Sequence, residues 1–333
     1  MKKTVAFITV IFMLFGVLIT GQAEVNPSPG KPVIGIAWRS DTDSEFFTNI
    51  CKAVEAAGGT WVLLDQVKSP DLNYDDEGKL TQGVTALGSL DEAAAKYVRI
   101  NTWHDSNAAD AIGNVSMVLF TGGEDISPSL YYSPEPWPGI VEEIDYNAER
   151  DVSDYLSMTY CLDHDIPLRG FCRGMQMLSV VSGGEVIQDV PAYFAELGVE
   201  YHDEHRNRKL TPDSYRGYAA HDVRVVPDSR LYDMVQTDTL TGCPSWHHQA
   251  VKSVENTRLA VTGYTETDGI KMIEAIERKD KTFAVGLQFH PEAALVRHME
   301  NAGNQDDYMD YDTALSIFQW IVQENDLEQK DAA

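Results

Sequence analysis

A short apolar run ends abruptly at a cysteine in Ile166-Pro-Leu-Arg-Gly-Phe-Cys172-Arg-Gly-Met-Gln176, and a helix-forming stretch follows at once. Gly170 and Gly174 flank the cysteine at minus two and plus two. Residues this small permit a tight, strained turn that lifts the cysteine above the end of a strand. Few folds accommodate such a turn. A strand with an open carboxyl end, in a parallel sheet covered by helices on both faces, is one that does. The following helix points its N-terminal dipole and free N–H groups at the sulfur, which favours thiolate over thiol. Taken alone, the same pattern also fits a buried structural cysteine.

The rest of the chain reads as α/β. Val33–Trp38 is a buried strand, an amphipathic helix follows around Glu45–Ala57, and Trp61–Leu64 is a second strand. Met117–Thr121 is a third strand, ending in Gly122-Gly123, and a long helix near Ile144–Asp163 leads into the Cys172 strand. Short β runs are expected at His221–Val226, Leu259–Thr265, Ile270–Arg278 and Thr282–Phe289, and a last helix over Tyr311–Gln323. Residues 66–90 are polar and read as a long loop; 191–218 show no clear period and read as an excursion beside the site. The loop from Glu124 to Gly139 carries four prolines and excludes regular structure. These elements predict one α/β domain over 33–326, flavodoxin-like, with a mostly parallel central sheet flanked by helices.

The first 23 residues stand apart. Lys2 and Lys3 precede an uncharged apolar run from Val5 to Ile19, and Gly21-Gln22-Ala23 supplies small residues for cleavage. This is the layout of a secretory signal peptide, with residues 24–32 as a linker. It predicts a periplasmic or secreted protein, without stable membrane insertion once the signal is removed. Removing residues 1–23 deletes two lysines and no acid, moving the formal charge from -26 to -28. That balance excludes nucleic acid as a partner, because a phosphate backbone needs a basic face. Cys51, Cys161 and Cys243 accompany Cys172, so at most one disulfide forms if Cys172 is a free thiolate. His202, Asp203 and His205 lack further ligands at zinc-site spacing, and no metal is assigned. Monomer and homodimer stay open.

A partner for the cysteine lies far downstream, in Gly286-Leu-Gln-Phe-His290-Pro-Glu292. In an extended chain residues two apart share a side, so Glu292 reaches the His290 imidazole. A carboxylate on one ring nitrogen fixes the tautomer and leaves the other nitrogen facing a nucleophile. Cys172, His290 and Glu292 then form a candidate nucleophile–base–orienter set beyond the strand ends.

These segments, with Phe120-Thr121-Gly122-Gly123, resemble the class I glutamine amidotransferase-like superfamily. Gly122-Gly123-Glu124-Asp125-Ile126-Ser127-Pro128, Asp145 with Arg150-Asp151, and Ser245-Trp246-His247-His248-Gln249 are similar to the γ-glutamyl-γ-aminobutyrate hydrolase group. The resemblance implies that Cys172 attacks the γ-carbonyl of a small γ-glutamyl substrate, with His290 as base and then acid. It implies an oxyanion hole from the backbone N–H groups of Gly123 and Arg173, and a glutamyl pocket lined by Gln176 and His247. No cofactor is implied. Read from the residues alone, Asp145, Arg150 and Asp151 fit a surface charge cluster equally well. Two other functions stay open: a glutaminase-type amidotransferase subunit, and a non-catalytic binding protein of the same fold. The signal departs from the family's usual cytosolic setting, and segments 66–113 and 191–218 look long enough to wall the pocket. Cleavage after Ala23 predicts an exported product beginning at Glu24, which intact-mass measurement checks.

Overall fold

Runs too uniformly apolar to face water form the centre of the structure, a computed structural model that describes residues 31–139, 141–206, 218–302 and 307–331. The expected signal peptide and most of the linker lie outside these residues. The first half of the chain contributes β1 (Val33–Ile36), α1 (Glu45–Ala56), β2 (Thr60–Leu63), α2 (Glu92–Asn101), α3 (Ala108–Ile112), β3 (Met117–Phe120) and α4 (Ala148–Asp163). The site strand β4 (Leu168–Phe171) and helix α5 (Arg173–Val181) follow, then β5 (Glu185–Ile187), α6 (Val190–Glu196), β6 (Ala219–Val225), α7 (Arg230–Val235) and β7 (Thr239–Ser245). The chain closes with β8 (Ala250–Ser253), β9 (Leu259–Thr267), β10 (Ile270–Arg278), β11 (Ala284–Leu287), α8 (Pro291–Glu300) and α9 (Tyr311–Asp331).

The main sheet runs β2-β1-β3-β4-β11-β10-β9-β6-β7, with β8 pairing to β10 and β5 to β8. From β2 to β11 every pairing is parallel. From β11 onward every pairing is antiparallel. The expected parallel sheet is therefore the half that carries Cys172, joined to an antiparallel half.

Alternation along the strands feeds two cores. Met117 and Leu119 pack on one face with Ile50, Phe318 and Leu295, while Val118 and Phe120 pack on the other with Leu156 and Leu178. Arg169, wholly buried, donates from Nη1 to the Ile317 carbonyl (2.8 Å) and pins α9 to the sheet. Register places the carboxyl ends of β3, β4 and β11 level, with Phe120 beside Gly170 and Phe171 beside Leu287.

Several local expectations are revised. The strand expected over Thr282–Phe289 is four residues long, because Gln288 and His290 turn their N–H groups to the Glu274 and Pro244 carbonyls. The helix expected from Ile144 begins at Ala148, where the Asn147 side chain accepts from the Arg150 N–H (3.1 Å). The excursion 191–218 contains α6, a seven-residue helix capped by Asp189 and opened by Pro191; so short a helix shows no period. Residues 66–90 form two tight turns bridged at Tyr74–Leu80 and Val84–Leu90, tied down where Leu90 N–H donates to Ser127 Oγ (2.8 Å). All four cysteines are free and buried, so the allowed disulfide is not formed.

The two glycines around Cys172 matter for contact. A Cβ on Gly170 would lie 2.3 Å from the Gly174 carbonyl carbon, and one on Gly174 would lie 2.4 Å from the Phe120 oxygen. Helix α5 thus touches the strands backbone to backbone. Gly170→Ala is expected to lower the unfolding free energy by about 1–3 kcal/mol, read from urea denaturation. An unchanged midpoint would contradict this packing.

Candidate active site

Cys172 occupies the hinge between β4 and α5 with φ 49° and ψ -106°, a backbone region that a non-glycine residue enters only under constraint. The constraint is visible. Its N–H donates to the Leu287 carbonyl (2.7 Å), and its own carbonyl accepts from the Gln176 N–H (3.2 Å). The side chain is 5 % exposed, and Sγ lies 4.0 Å from the Trp246 carbonyl. The cysteine caps α5, so the helix N-terminus opens beside it.

His290 is wholly buried, and its Nδ1 donates to Glu292 Oε1 at 2.6 Å. The contact is as expected, but its geometry is not that of a strand. His290 is the cap residue of α8, Pro291 holds the first helical position, and Glu292 sits in the first turn. Proline and an acid are both favoured there, since one lacks the N–H that would go unpaired and the other faces the positive end of the helix dipole. Burial lowers the His290 pKa, but the Glu292 carboxylate and the Cys172 sulfur outweigh it and raise it to about 10. The ring lies 5.2 Å from Phe46 and 5.5 Å, edge on, from Tyr218. A Cβ on Gly122 would come within 2.9 Å of His290 Cε1, so the loop after β3 closes directly over the imidazole.

That loop is held from below by charge. Arg150 Nη2 donates to the Thr121 carbonyl (2.9 Å) and the Gly122 carbonyl (3.0 Å), while Nη1 pairs with Glu124. Gly123 adopts φ +147°, and a Cβ there would overlap the Arg150 guanidinium. Arg173 pairs with Asp151 (2.6 Å) and with Asp154. Asp151 Oδ2 accepts from the Ser127 N–H at 2.9 Å. Arg150 and Asp151 are therefore core residues, correcting the surface-cluster alternative; their charges are met by buried partners rather than by water. Asp145 is exposed and lines the cleft instead.

Cys172 opens onto a cleft of about 360 Å³. Gln176 and His247 line it as expected. Gln176 Nε2 donates to the Gln249 carbonyl (2.8 Å), which also accepts from His247 Nδ1 (2.8 Å). Burial drives the His247 pKa down to about 3, so the ring is neutral. Among the described residues the lining comes from 123–125, 142–145, 172, 176, 206 and 246–249. Segment 66–113 contributes none of it, contrary to expectation, because it packs against α4; Arg206, in the 191–218 segment, does contribute.

Three features escaped the sequence reading. Phe46 and Trp246, with ring centroids 5.8 Å apart, wall the His290 side. His248 donates from Nε2 to Asp125 Oδ1 (2.9 Å); burial lowers its pKa, but Asp125 and Asp189 raise it to about 9. Glu142, Glu143 and Asp145 give the cleft an acidic rim. The doubled histidine of Ser245-Trp246-His247-His248 was the available signal for His248.

The sequence comparisons agree with this architecture. A family model described as Peptidase C26 matches residues 89–292. The chain belongs to the Peptidase C26 family, within the class I glutamine amidotransferase-like superfamily. Protein NtpR of Enterococcus hirae is 30% identical over 217 residues, covering 65% of this chain and 78% of that protein. A glutamine amidotransferase-like protein of Rickettsia prowazekii is 28% identical over 203 residues, covering 53% and 69%. The γ-glutamyl-γ-aminobutyrate hydrolase of Escherichia coli O157:H7 is 29% identical over 151 residues, covering 45% of this chain and 56% of that enzyme. This chain thus spans little more than half of that hydrolase.

The raised imidazole yields a signed prediction. Its folded pKa of about 10 exceeds the ordinary histidine value near 6.5, so its stabilisation is complete below about pH 6.5 and disappears as pH rises through 10. In Glu292→Gln the main raising charge is gone, and the His290 titration observed by ¹⁵N NMR should move to lower pH. A titration that stays near 10 in this variant would break the assignment.

Proposed function

We propose that this protein is an exported cysteine hydrolase that cleaves the γ-glutamyl amide bond of a γ-glutamyl amine or peptide. The observation that carries the reading is the His290–Glu292 pair beside a strained cysteine that opens onto a cleft. The protonated His290 beside Cys172 favours a thiolate–imidazolium pair. The thiolate attacks the γ-carbonyl, forming the C–S bond and an oxyanion. N–H groups of Arg173, at the start of α5, and of Gly123, in the loop after β3, donate to that oxyanion; one such donor is worth about 3 kcal/mol in the transition state. His290 gives its proton to the departing nitrogen as the C–N bond breaks, leaving a γ-glutamyl thioester. His290, now neutral, takes a proton from water, whose oxygen attacks the thioester carbonyl; the C–S bond breaks, glutamate leaves, and Cys172 returns as the thiolate beside the imidazolium.

The cleft's charge supports a preference among leaving groups. Arg206, over the Trp246 ring at 5.2 Å, suits the α-carboxylate of the glutamyl group. Glu142, Glu143 and Asp145 then face the departing amine and favour one with a second positive charge. γ-Aminobutyrate, whose free end is a carboxylate, is disfavoured by the same rim. Export rests on the N-terminal pattern of residues 1–23.

Wild type and Cys172→Ala are to be incubated with γ-glutamyl amides of cationic, neutral and anionic amines, with free glutamine and with γ-glutamyl peptides. Glutamate release from the cationic amides is expected, falling at least about 10³-fold in Cys172→Ala. Release from glutamine alone would establish the glutaminase reading instead. No glutamate and no thioester adduct from any of them would end the hydrolase reading.

A further inference from the structure

Behind the cleft wall, four side chains from four parts of the chain converge where water is excluded. Glu274 of β10 and His205, beyond α6, are 0 % exposed; His247, just after β7, is buried, and His221 of β6 nearly so. Glu274 Oε1 lies 3.3 Å from His205 Nδ1 and 3.8 Å from His247 Nε2. Oε2 lies 3.3 Å from His221 Nε2. None of these approaches has hydrogen-bond geometry. Both carboxylate oxygens, both nitrogens of His205, and Nε2 of His221 and of His247 are without a hydrogen-bond partner among the described residues. Buried polar atoms left this way are costly, and so many in one place require a common cause.

The tautomers identify it. His247 Nδ1 is 2.8 Å from the Gln249 carbonyl, and His221 Nδ1 is 3.0 Å from the Glu204 carbonyl. A carbonyl only accepts, so each Nδ1 carries the proton. His247, when neutral, then presents an Nε2 lone pair to a carboxylate oxygen that is itself an acceptor. Such an arrangement holds together only around positive charge. A proton on His221 Nε2 answers Oε2 alone; His205 and His247 still converge on Oε1, and a dication there satisfies all three atoms.

The geometry points to a divalent metal site, fitted to Zn²⁺, formed by His205, His247 and Glu274, with His221 set against the other oxygen of the carboxylate. Tetrahedral zinc with bonds of about 2.0–2.1 Å places neighbouring ligand atoms about 3.3–3.4 Å apart. The 3.3 Å approach of His205 to Glu274 matches that edge, that of His247 is 3.8 Å, and ligand atoms of the three residues all lie within 4.8 Å of one another. Two imidazoles with one carboxylate suit zinc, whereas magnesium and calcium take oxygen ligands. The backbone carbonyl on Nδ1 of His247 is the kind of outer contact that orients a metal-binding histidine. The metal has three protein ligands, and His221 braces the Glu274 carboxylate from its other oxygen. It ties the segment around His205 to the Ser245–Gln249 turn, alongside the His247 N–H and Ser245 hydroxyl bonds to the His205 carbonyl (3.1 and 3.0 Å). Arg206, Trp246 and His248 adjoin these ligands in sequence and line the cleft. The metal thereby sets the cleft wall without touching the reacting atoms, and it stands whether or not the hydrolase reading does. The sequence hid it because His205, His247 and Glu274 lie far apart along the chain with no short spacing.

The test is metal content by mass spectrometry of the whole protein after chelator dialysis and reloading with Zn²⁺, with zinc X-ray absorption on the wild type. About one zinc per chain is expected, with imidazole nitrogens at about 2.0–2.1 Å. Glu274→Gln and His205→Ala should bind at least about tenfold more weakly, while His202→Ala, exposed and outside the cluster, keeps wild-type binding. Circular dichroism checks that each variant folds, and the wild-type spectrum decides the matter if one does not. Wild-type protein that takes up no zinc, or holds it without imidazole ligands, overturns the site. Equal affinity in folded Glu274→Gln overturns it as well.

Discussion

A set of buried charges beneath the cleft governs where everything above it sits. Three arginines, Arg39, Arg150 and Arg173, meet three acids, Glu124, Asp151 and Asp154, and all but Glu124 are almost wholly buried. Arg39 Nη1 donates to Thr121 Oγ1 (2.8 Å), the hydroxyl that Arg150 also reaches (3.0 Å). Through Arg150 the network grips the loop after β3, and through Arg173 it grips the residue after Cys172. Both loops are thereby referred to one helix, α4. Burying so many charges is costly, and it is tolerated because each finds partners; stranding one costs about 3–5 kcal/mol. Such a network holds one arrangement and penalises slippage of either loop.

Cys172 and His290 are further placed by two helix starts. Cys172 caps α5 and His290 caps α8, so each is the residue at which an extended chain is forced into helix. The forces are local ones: a constrained φ at Cys172, a proline after His290, an acid in the first turn. Glu292 serves twice, as a favourable charge at the helix N-terminus and as the acceptor for His290 Nδ1. Good capping and an oriented imidazole are the same interaction.

What the sequence disclosed follows from how local each signal is. Cys172 between two small residues was legible because the turn, the helix start and the close backbone contact all lie within eleven positions. The His290–Glu292 contact was read correctly from spacing but for the wrong reason, since a strand and a helix start both bring residues two apart together. Arg150 and Asp151 could not be told from a solvated face, because their partners Thr121, Glu124 and Ser127 are more than twenty positions away. Helices α6 and α7 are too short to show a period. Strand β7 is broken by Gly242 and Pro244, which read as turn residues until β6 is seen beside them. The histidines around Glu274 are more distant still, and only the antiparallel half of the sheet gathers them.

The change of strand direction after β11 has a structural meaning. Cys172, His290 and the loop after β3 belong to strands that run together, whereas the turn bearing Trp246, His247 and His248 hangs from strands that reverse. That turn joins β7 to β8, which pair with different strands, and it is tied to the His205 carbonyl as well. The cleft wall and the Cys172–His290 side are therefore held by opposite halves of one sheet, so that a change in either half leaves the other's anchors in place.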